Sequence, residues 1–293
     1  MISKGLSINL LTPFTETNEI DFESIERQIE VYIANGAKSL ILGRPFGEFL
    51  TMNDDEIIDV VEFVIKKVDK RVPVIAQTGF NDTIRSIKLS LNVKNAGVDA
   101  LILLAPYYSL GNESGILNHF KSIATAVGLP CYIENDSEKT GVDLSEHIAS
   151  ISAIKNIVGI IENTDDTRKY ISIISKVSND FQIVCANDRA IFPALSLGVK
   201  SFISPISNIC PADINEIIDF FEQSDIEKSR NKFLSMLEYF DVFSQEVQPV
   251  PIKTAMNMLG YDVGDFRLPL SGMNTDYAAR VATLIMDQNI RKL

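Results

Sequence analysis

Short apolar runs rich in β-branched residues alternate with longer segments of helical period through the first 210 residues. Strands that alternate with helices form βα units, whose strands pair in parallel. Eight such runs predict a closed (β/α)8 barrel rather than a doubly wound open sheet, which usually has fewer strands. The predicted strands are residues 6–11, 39–43, 72–77, 100–105, 131–135, 157–162, 182–186 and 201–204.

The alternation of predicted strands and helices stops after Asn208. Within the barrel, apolar residues recur at three- and four-residue steps over 24–34, 54–68, 83–96 and 113–127. Beyond it, only helices are predicted, at 211–223, 226–243, 251–259 and 275–288. We therefore expect a barrel over residues 1–210 and a C-terminal helical extension over 211–293 that packs on it.

The net charge narrows the classes of binding partner, and the cysteine pattern indicates the redox state of the chain. The formal net charge of −12 repels phosphate backbones and anionic lipids, which argues against nucleic acid and membrane surfaces as partners. The three cysteines are widely spaced within or beside apolar runs, so they are expected to be reduced and buried. No signal peptide or membrane-spanning run is apparent, and we expect a cytoplasmic protein.

In a (β/α)8 barrel the chemistry lies at the carboxyl ends of the strands. The residues at those ends are therefore the candidates for substrate contact. They include Arg44, Pro45, Phe46, Tyr108, Glu134, Lys139, Ile161, Asn187 and Ser204.

Several short motifs stand at these strand ends in a characteristic order and spacing. They are Thr12-Pro13-Phe14, Gly47-Glu48 with Thr51, Thr78-Gly79 with Asn81, Pro106-Tyr107-Tyr108, Asn156-Ile157-Val158-Gly159-Ile160 with Glu162, Pro249-Val250-Pro251-Ile252-Lys253 and Arg267-Leu268-Pro269-Leu270. Together they resemble the dihydrodipicolinate synthase / N-acetylneuraminate lyase family, and the resemblance runs through the whole chain. It implies a class I aldolase on a (β/α)8 barrel with a C-terminal helical extension.

The resemblance also implies a Schiff base between pyruvate or another 2-oxo acid and a lysine on the sixth strand, just before Glu162. Here that position is Ile161, which has no nucleophile, and neither Ile160 nor Asn163 restores one. Because strand residues alternate in direction, Ile161 is expected to fill the barrel interior. Lys253 lies in a segment that is not catalytic in the resembling enzymes and is not expected to replace the lysine.

Other positions depart from the family pattern too. The two loop threonines correspond to Pro45 and Phe46, and the loop glycine before them to Arg44. The strand-five tyrosine corresponds to Glu134, and the arginine that binds the partner carboxylate corresponds to Lys139. Of the implied proton relay only Tyr108 remains, a residue that reaches across a subunit interface in the resembling enzymes.

Glu134 admits two interpretations. It could act as a general acid or base at the barrel mouth, or it could pair with Arg44 or Lys139 at the same rim. Arg44 and Lys139 could in turn hold an anionic ligand together, or remain solvated. A divalent metal held by Glu134, Asp136 and Asp188 is a further alternative, although no metal-binding motif is present and no cofactor is expected.

Three hypotheses follow. The first is a family member that has lost Schiff-base aldolase activity and serves as a small-acid-binding, regulatory or assembly homologue. The second is a lyase on a 2-oxo or hydroxy acid that uses Glu134 and Tyr108, with or without a metal. The third is a subunit scaffold whose mouth is filled by Phe46 and Ile161. The resemblance implies a homodimer or homotetramer, with co-assembly with an active paralogue as an option.

Overall fold

The computed structural model describes residues 1–109 and 111–293 and contains a closed barrel of eight parallel strands, as predicted. Each strand pairs with its sequence neighbours, and the first strand closes the barrel against the last. The strands are β1 Gly5–Asn9, β2 Ser39–Leu42, β3 Val74–Gln77, β4 Ala100–Leu104, β5 Cys131–Asn135, β6 Ile157–Glu162, β7 Gln182–Cys185 and β8 Ser201–Ile203.

The first four helices surround half of the barrel and begin at side-chain caps. In α2 the Asn53 side chain accepts from the Glu56 N–H, and the Glu56 carboxylate accepts from the Asn53 N–H. Because this capping box satisfies two backbone donors, the helix start is defined locally. The helices of the barrel are α1 Phe22–Ala34, α2 Asp54–Val68, α3 Thr83–Ala96, α4 Glu113–Val127, α5 Ser137–Thr140, α6 Ile148–Ser152, α7 Thr167–Ile174 and α8 Ile191–Ser196.

The chain after the barrel is helical, and its first helix begins at Pro211. One predicted helix, over 226–243, is instead two helices separated at Met236. Phe233, Met236 and Phe240 are all buried, so the break keeps apolar residues against the protein on both sides of it. These helices are α9 Pro211–Glu222, α10 Ile226–Ser235, α11 Leu237–Val242, α12 Val250–Met258 and α13 Thr275–Asp287.

Two apolar clusters form the core. The larger one lies between the strands and the helices and includes residues of the extension such as Ile214 and Met256. The smaller one fills the barrel interior. Among the described residues, no helix is long and apolar enough to cross a membrane. The interior cluster consists of Ile2, Ile41, Ile75, Ala100, Ile102, Tyr132, Ile161, Val184, Ala186 and Ile203.

Candidate active site at the barrel mouth

The inward side chains of β5 and β6 set the centre of the site. Tyr132 and Ile161 belong to the interior cluster, and Glu134 follows Tyr132 by two residues on the same face of β5. Glu134 is also the register partner of Ile161 on β6. Glu134 therefore faces the barrel axis at the carboxyl end of its strand, where this fold places its chemistry.

Glu134 is paired with Arg44. Arg44 Nε donates to Glu134 Oε1 at 2.8 Å, and the two side chains are 4% and 2% exposed. Asn163, the next inward position after Ile161, accepts from Arg44 Nη2 at 2.7 Å and donates to Glu134 Oε1 at 3.3 Å. A buried carboxylate requires such partners, because burial removes its hydration.

The loop after β2 holds Arg44 in an uncommon backbone conformation. Arg44 has φ 56°, directly after Gly43 with φ 85°, and its N–H donates to the Gln77 side chain. A Cβ on Gly47 would lie 2.5 Å from the Gly43 nitrogen, so the loop is folded tightly on itself. Left-handed backbone at a long side chain is costly and persists where the surroundings impose it. The loop thus fixes the direction of the guanidinium group.

Asn187 lies beside this cluster, since its Nδ2 donates to the Asn163 carbonyl oxygen at 3.0 Å. Asn163, Asn187 and Pro45 are all partly exposed, whereas Arg44 and Glu134 beneath them are buried. The cluster of Arg44, Glu134, Asn163 and Asn187, hereafter the mouth cluster, therefore borders solvent at its rim.

Lys139 does not join Arg44. Its Nζ donates to Asp136 Oδ2 at 2.6 Å, within one turn of helix α5, and its side chain is 52% exposed. The structure therefore does not support joint binding of an anion by the two cations. Arg44, and not Lys139, is the partner of Glu134.

Two other predicted contacts lie away from the axis. Ser204 is fully buried and its hydroxyl donates to Asp188 Oδ1 at 2.5 Å. Phe46 belongs to the large cluster between strands and helices, not to the barrel interior. Phe46 therefore does not plug the mouth as the scaffold hypothesis requires, and Ser204 is engaged within the protein.

Tyr108 is separate from Glu134 within one chain. Its side chain is 95% exposed and its backbone has φ 68°. Glu134 is buried and bonded to Arg44 and Asn163. A proton relay that uses both residues is not assembled in a single chain.

The three carboxylates considered as metal ligands each have a different partner. Glu134 contacts Arg44, Asp136 contacts Lys139, and Asp188 accepts from Ser204 Oγ and from the Ile206 N–H. In residues 1–109 and 111–293 no group of three or more metal-ligating side chains comes together. The donor set does not fit a divalent ion at the mouth.

Two buried carboxyl groups near the strand ends titrate unusually. Burial raises the pKa of Asp188 to about 7, against the opposing hydrogen bonds from Ser204 and Ile206. Burial likewise raises the pKa of Glu162 to about 7, although Asn135 Nδ2 donates to it at 2.7 Å. Because Ile161 belongs to the interior cluster, strand alternation places Glu162 on the opposite face of β6.

A second buried ion pair was not foreseen from the sequence. Lys253 Nζ donates to Glu48 Oε1 at 2.9 Å and to the Thr12 carbonyl at 3.2 Å, and both charged side chains are fully buried. The ammonium group also lies 4.6 Å from the centre of the Phe14 ring. Burial raises the pKa of Glu48 and lowers that of Lys253. Lys253 thus ties the extension to the loops after β1 and β2.

The cysteines Cys131, Cys185 and Cys210 are buried and free. Burial raises the pKa of each thiol to about 12, so none is activated as a nucleophile.

A profile of the dihydrodipicolinate synthetase family matches residues 2–288. The chain belongs to this family. It is 34% identical over 288 residues to the 4-hydroxy-tetrahydrodipicolinate synthase of Geobacter metallireducens, a match that covers 98% of this chain and 99% of that one.

Solved structures of the family share the whole architecture. A dihydrodipicolinate synthase from Bacillus anthracis is 31% identical and superposes with a TM-score of 0.94 over 100% of both chains. The dihydrodipicolinate synthase from Acinetobacter baumannii, solved in complex with pyruvate, is 28% identical with a TM-score of 0.93 over 99% of this chain and 100% of that one. The family resemblance and the barrel predicted from the sequence are both confirmed.

Proposed function

We propose that this chain is a family member that forms no Schiff base in its barrel, and that its mouth binds a small carboxylic or 2-oxo acid in a regulatory or assembly role. The observation that carries the proposal is Ile161. Its side chain is fully buried in the interior cluster, at the position where the family resemblance implies a lysine. An alkyl side chain cannot attack a carbonyl carbon, so the covalent route has no nucleophile there.

Neither nearby lysine is a substitute. Lys253 is fully buried against Glu48, and Lys139 is held at the rim by Asp136. A Schiff-base lysine has to be neutral and reach the carbonyl carbon of its substrate, whereas both of these ammonium groups are held by a carboxylate.

Binding of an acid is supported by the guanidinium group of Arg44, which matches a carboxylate in geometry and charge. The solved relative from Acinetobacter baumannii is in complex with pyruvate. The proposal requires no cofactor, and the cytoplasmic location expected from the sequence is part of it.

Borohydride trapping tests the proposal. The purified protein is incubated with pyruvate and sodium borohydride, and its intact mass is compared with that of the Bacillus anthracis synthase treated in parallel. We expect a reduced pyruvate adduct on a synthase that forms the Schiff base and none on this chain. A stoichiometric adduct that maps to any lysine of this chain would overturn the proposal.

The alternative of a lyase that uses Glu134 and Tyr108 gains no support from the geometry of one chain, since Tyr108 is exposed and Glu134 is bonded elsewhere. A homodimer or homotetramer remains part of the proposal, as does co-assembly with an active paralogue. The exposed Tyr108 side chain supports association of chains. Light scattering of the purified protein, alone and mixed with a paralogue, measures both forms of assembly.

A further inference from the structure

Only one of the two carboxylate oxygens of Glu134 accepts hydrogen bonds from the described residues. Oε1 accepts from both Arg44 and Asn163, whereas Oε2 is buried and has no hydrogen-bond partner among the described residues. A buried acceptor left without a donor costs about 1–3 kcal/mol, and more when it is charged. Oε2 is therefore an unused acceptor, fixed in direction, at the mouth of the barrel.

Arg44 presents the complementary group. Its Nε and Nη2 are engaged by Glu134 and Asn163, and in residues 1–109 and 111–293 its Nη1 has no partner. The pair is joined through one nitrogen and one oxygen only, although an arginine and a carboxylate can pair through two. One donor of Arg44 and one acceptor of Glu134 thus remain without a partner among the described residues.

The charges at the mouth select among ligands. Arg44 and Glu134 cancel each other, and Lys139 is cancelled by Asp136. An anion that enters this cluster meets a guanidinium group already paired with Glu134, so it is bound more weakly than by an unpaired cation. A head group with one positive and one negative charge meets an attractive partner at both ends.

We propose that the mouth cluster takes the head group of a small neutral α-amino acid. The ammonium group donates to Glu134 Oε2, and the carboxylate accepts from Arg44 Nη1. The strand neighbours of Glu134 in the register are Leu104 and Ile161, which suit a short aliphatic side chain. This inference rests on the proposed function, since it names the class of acid that the same site binds without a covalent bond.

The same geometry favours an amino acid over a 2-oxo acid. A keto oxygen only accepts hydrogen bonds, and so does a carboxylate oxygen. A keto group placed against Glu134 Oε2 leaves both acceptors unpaired, and a site built for a donor discriminates strongly against an analogue that lacks it. A hydroxy acid has a donor but also a net negative charge, and is expected to fall between the two.

The test compares L-alanine, L-lactate and pyruvate, which share a three-carbon skeleton and differ at C2. Isothermal titration calorimetry of the unmodified protein is expected to rank them in that order, with pyruvate at least tenfold weaker than alanine. Pyruvate or lactate binding at least as tightly as alanine would overturn the inference and leave non-covalent acid binding in place. Failure of all three to bind would overturn the inference and remove acid binding from the proposed function. Trapping of a Schiff base tests the proposed function independently.

Two variants distinguish recognition of the ammonium group by Glu134 from a general effect of negative charge at the barrel mouth. Glu134→Gln replaces the acceptor with an amide that can donate, so we expect alanine to weaken at least tenfold and pyruvate to overtake it. Glu138→Gln makes the same change in charge at an exposed side chain of α5, leaves the pairing of Lys139 with Asp136 intact, and should preserve the wild-type order. Circular dichroism verifies that each variant is folded. If Glu134→Gln is folded and keeps the wild-type order, Glu134 does not recognise the ammonium group and the inference fails.

Discussion

The buried carboxyl group of Asp188 makes the stability of the barrel depend on pH. It accepts hydrogen bonds from Ser204 Oγ and the Ile206 N–H, and burial raises its pKa from 3.8 to about 7. Between these two values the unfolded chain has released the proton that the native state retains. The native state binds more protons there, so the free energy of unfolding falls as pH rises through the window and levels off above it.

The size of this effect follows from the pKa difference. Each pKa unit corresponds to about 1.4 kcal/mol. Only the roughly two units between pH 5 and the native pKa contribute to a comparison of pH 5 with pH 8, which gives roughly 3 kcal/mol for this one group. Asp188→Asn cannot ionise. Its amide oxygen can accept from the Ile206 N–H while its nitrogen donates to Ser204 Oγ, so both hydrogen bonds of the wild type keep a partner.

We expect Asp188→Asn to raise the Tm at pH 8 by a few degrees over the wild type, and to change it little at pH 5, where the native wild-type group is already neutral. Differential scanning calorimetry at both pH values and one scan rate measures this. Asp180→Asn, an equivalent change at an exposed carboxylate, is the control and should leave the pH dependence unchanged. If Asp188→Asn loses as much stability between pH 5 and pH 8 as the wild type, Asp188 does not carry the effect.

Two further predictions concern packing, and urea denaturation checks both. Lys253→Met leaves Glu48 buried without its cation and should lower the free energy of unfolding by about 3–5 kcal/mol. Adding Glu48→Gln to this variant should restore part of the lost stability. Equal stability of the single and double variants would contradict the prediction. Ile161→Ala should cost about 2–5 kcal/mol and Ile161→Val about 0.5–1.5, because Ile161 is fully buried in the barrel interior. Equal costs for the two would show that the interior collapses around the missing atoms.

The regular elements could be predicted closely because their signals are local. The fifth and sixth strands agree with the prediction at both ends, and so does α2, which has a capping box at one end and a left-handed Asp69 at the other. The predicted first strand ran on to residue 11, but β1 ends at Asn9. The apolar run continues past that point into a segment that is buried without belonging to the ladder. A run of apolar residues indicates burial, and here the buried segment extends beyond the end of β1.

Contacts between residues far apart in the sequence were harder to predict. Strand alternation predicts that Ile161 fills the barrel interior, but it does not choose between Arg44 and Lys139 as the partner of Glu134. That choice depends on the φ of 56° at Arg44, and arginine is not a residue whose presence signals left-handed backbone. The pairing of Lys253 with Glu48 joins residues 205 positions apart and has no periodic signature.

The changes at the barrel mouth form one consistent set. Without Arg44, Glu134 would be a buried carboxylate with no cation, and without Glu134 the buried guanidinium would lack its counter-ion. Breaking such a pair from either side costs about 3–5 kcal/mol, so the loss of either residue alone is strongly destabilising. Asn163 forms hydrogen bonds with both members of the pair. The left-handed backbone at Arg44, in the loop after β2, directs the guanidinium group toward Glu134 and Asn163. A mouth that had only lost its nucleophile would not need this coordinated construction. Under the proposed function, in which Ile161 stands at the position of the nucleophile, the assembly of the mouth cluster argues for a rebuilt binding site and against a site in decay.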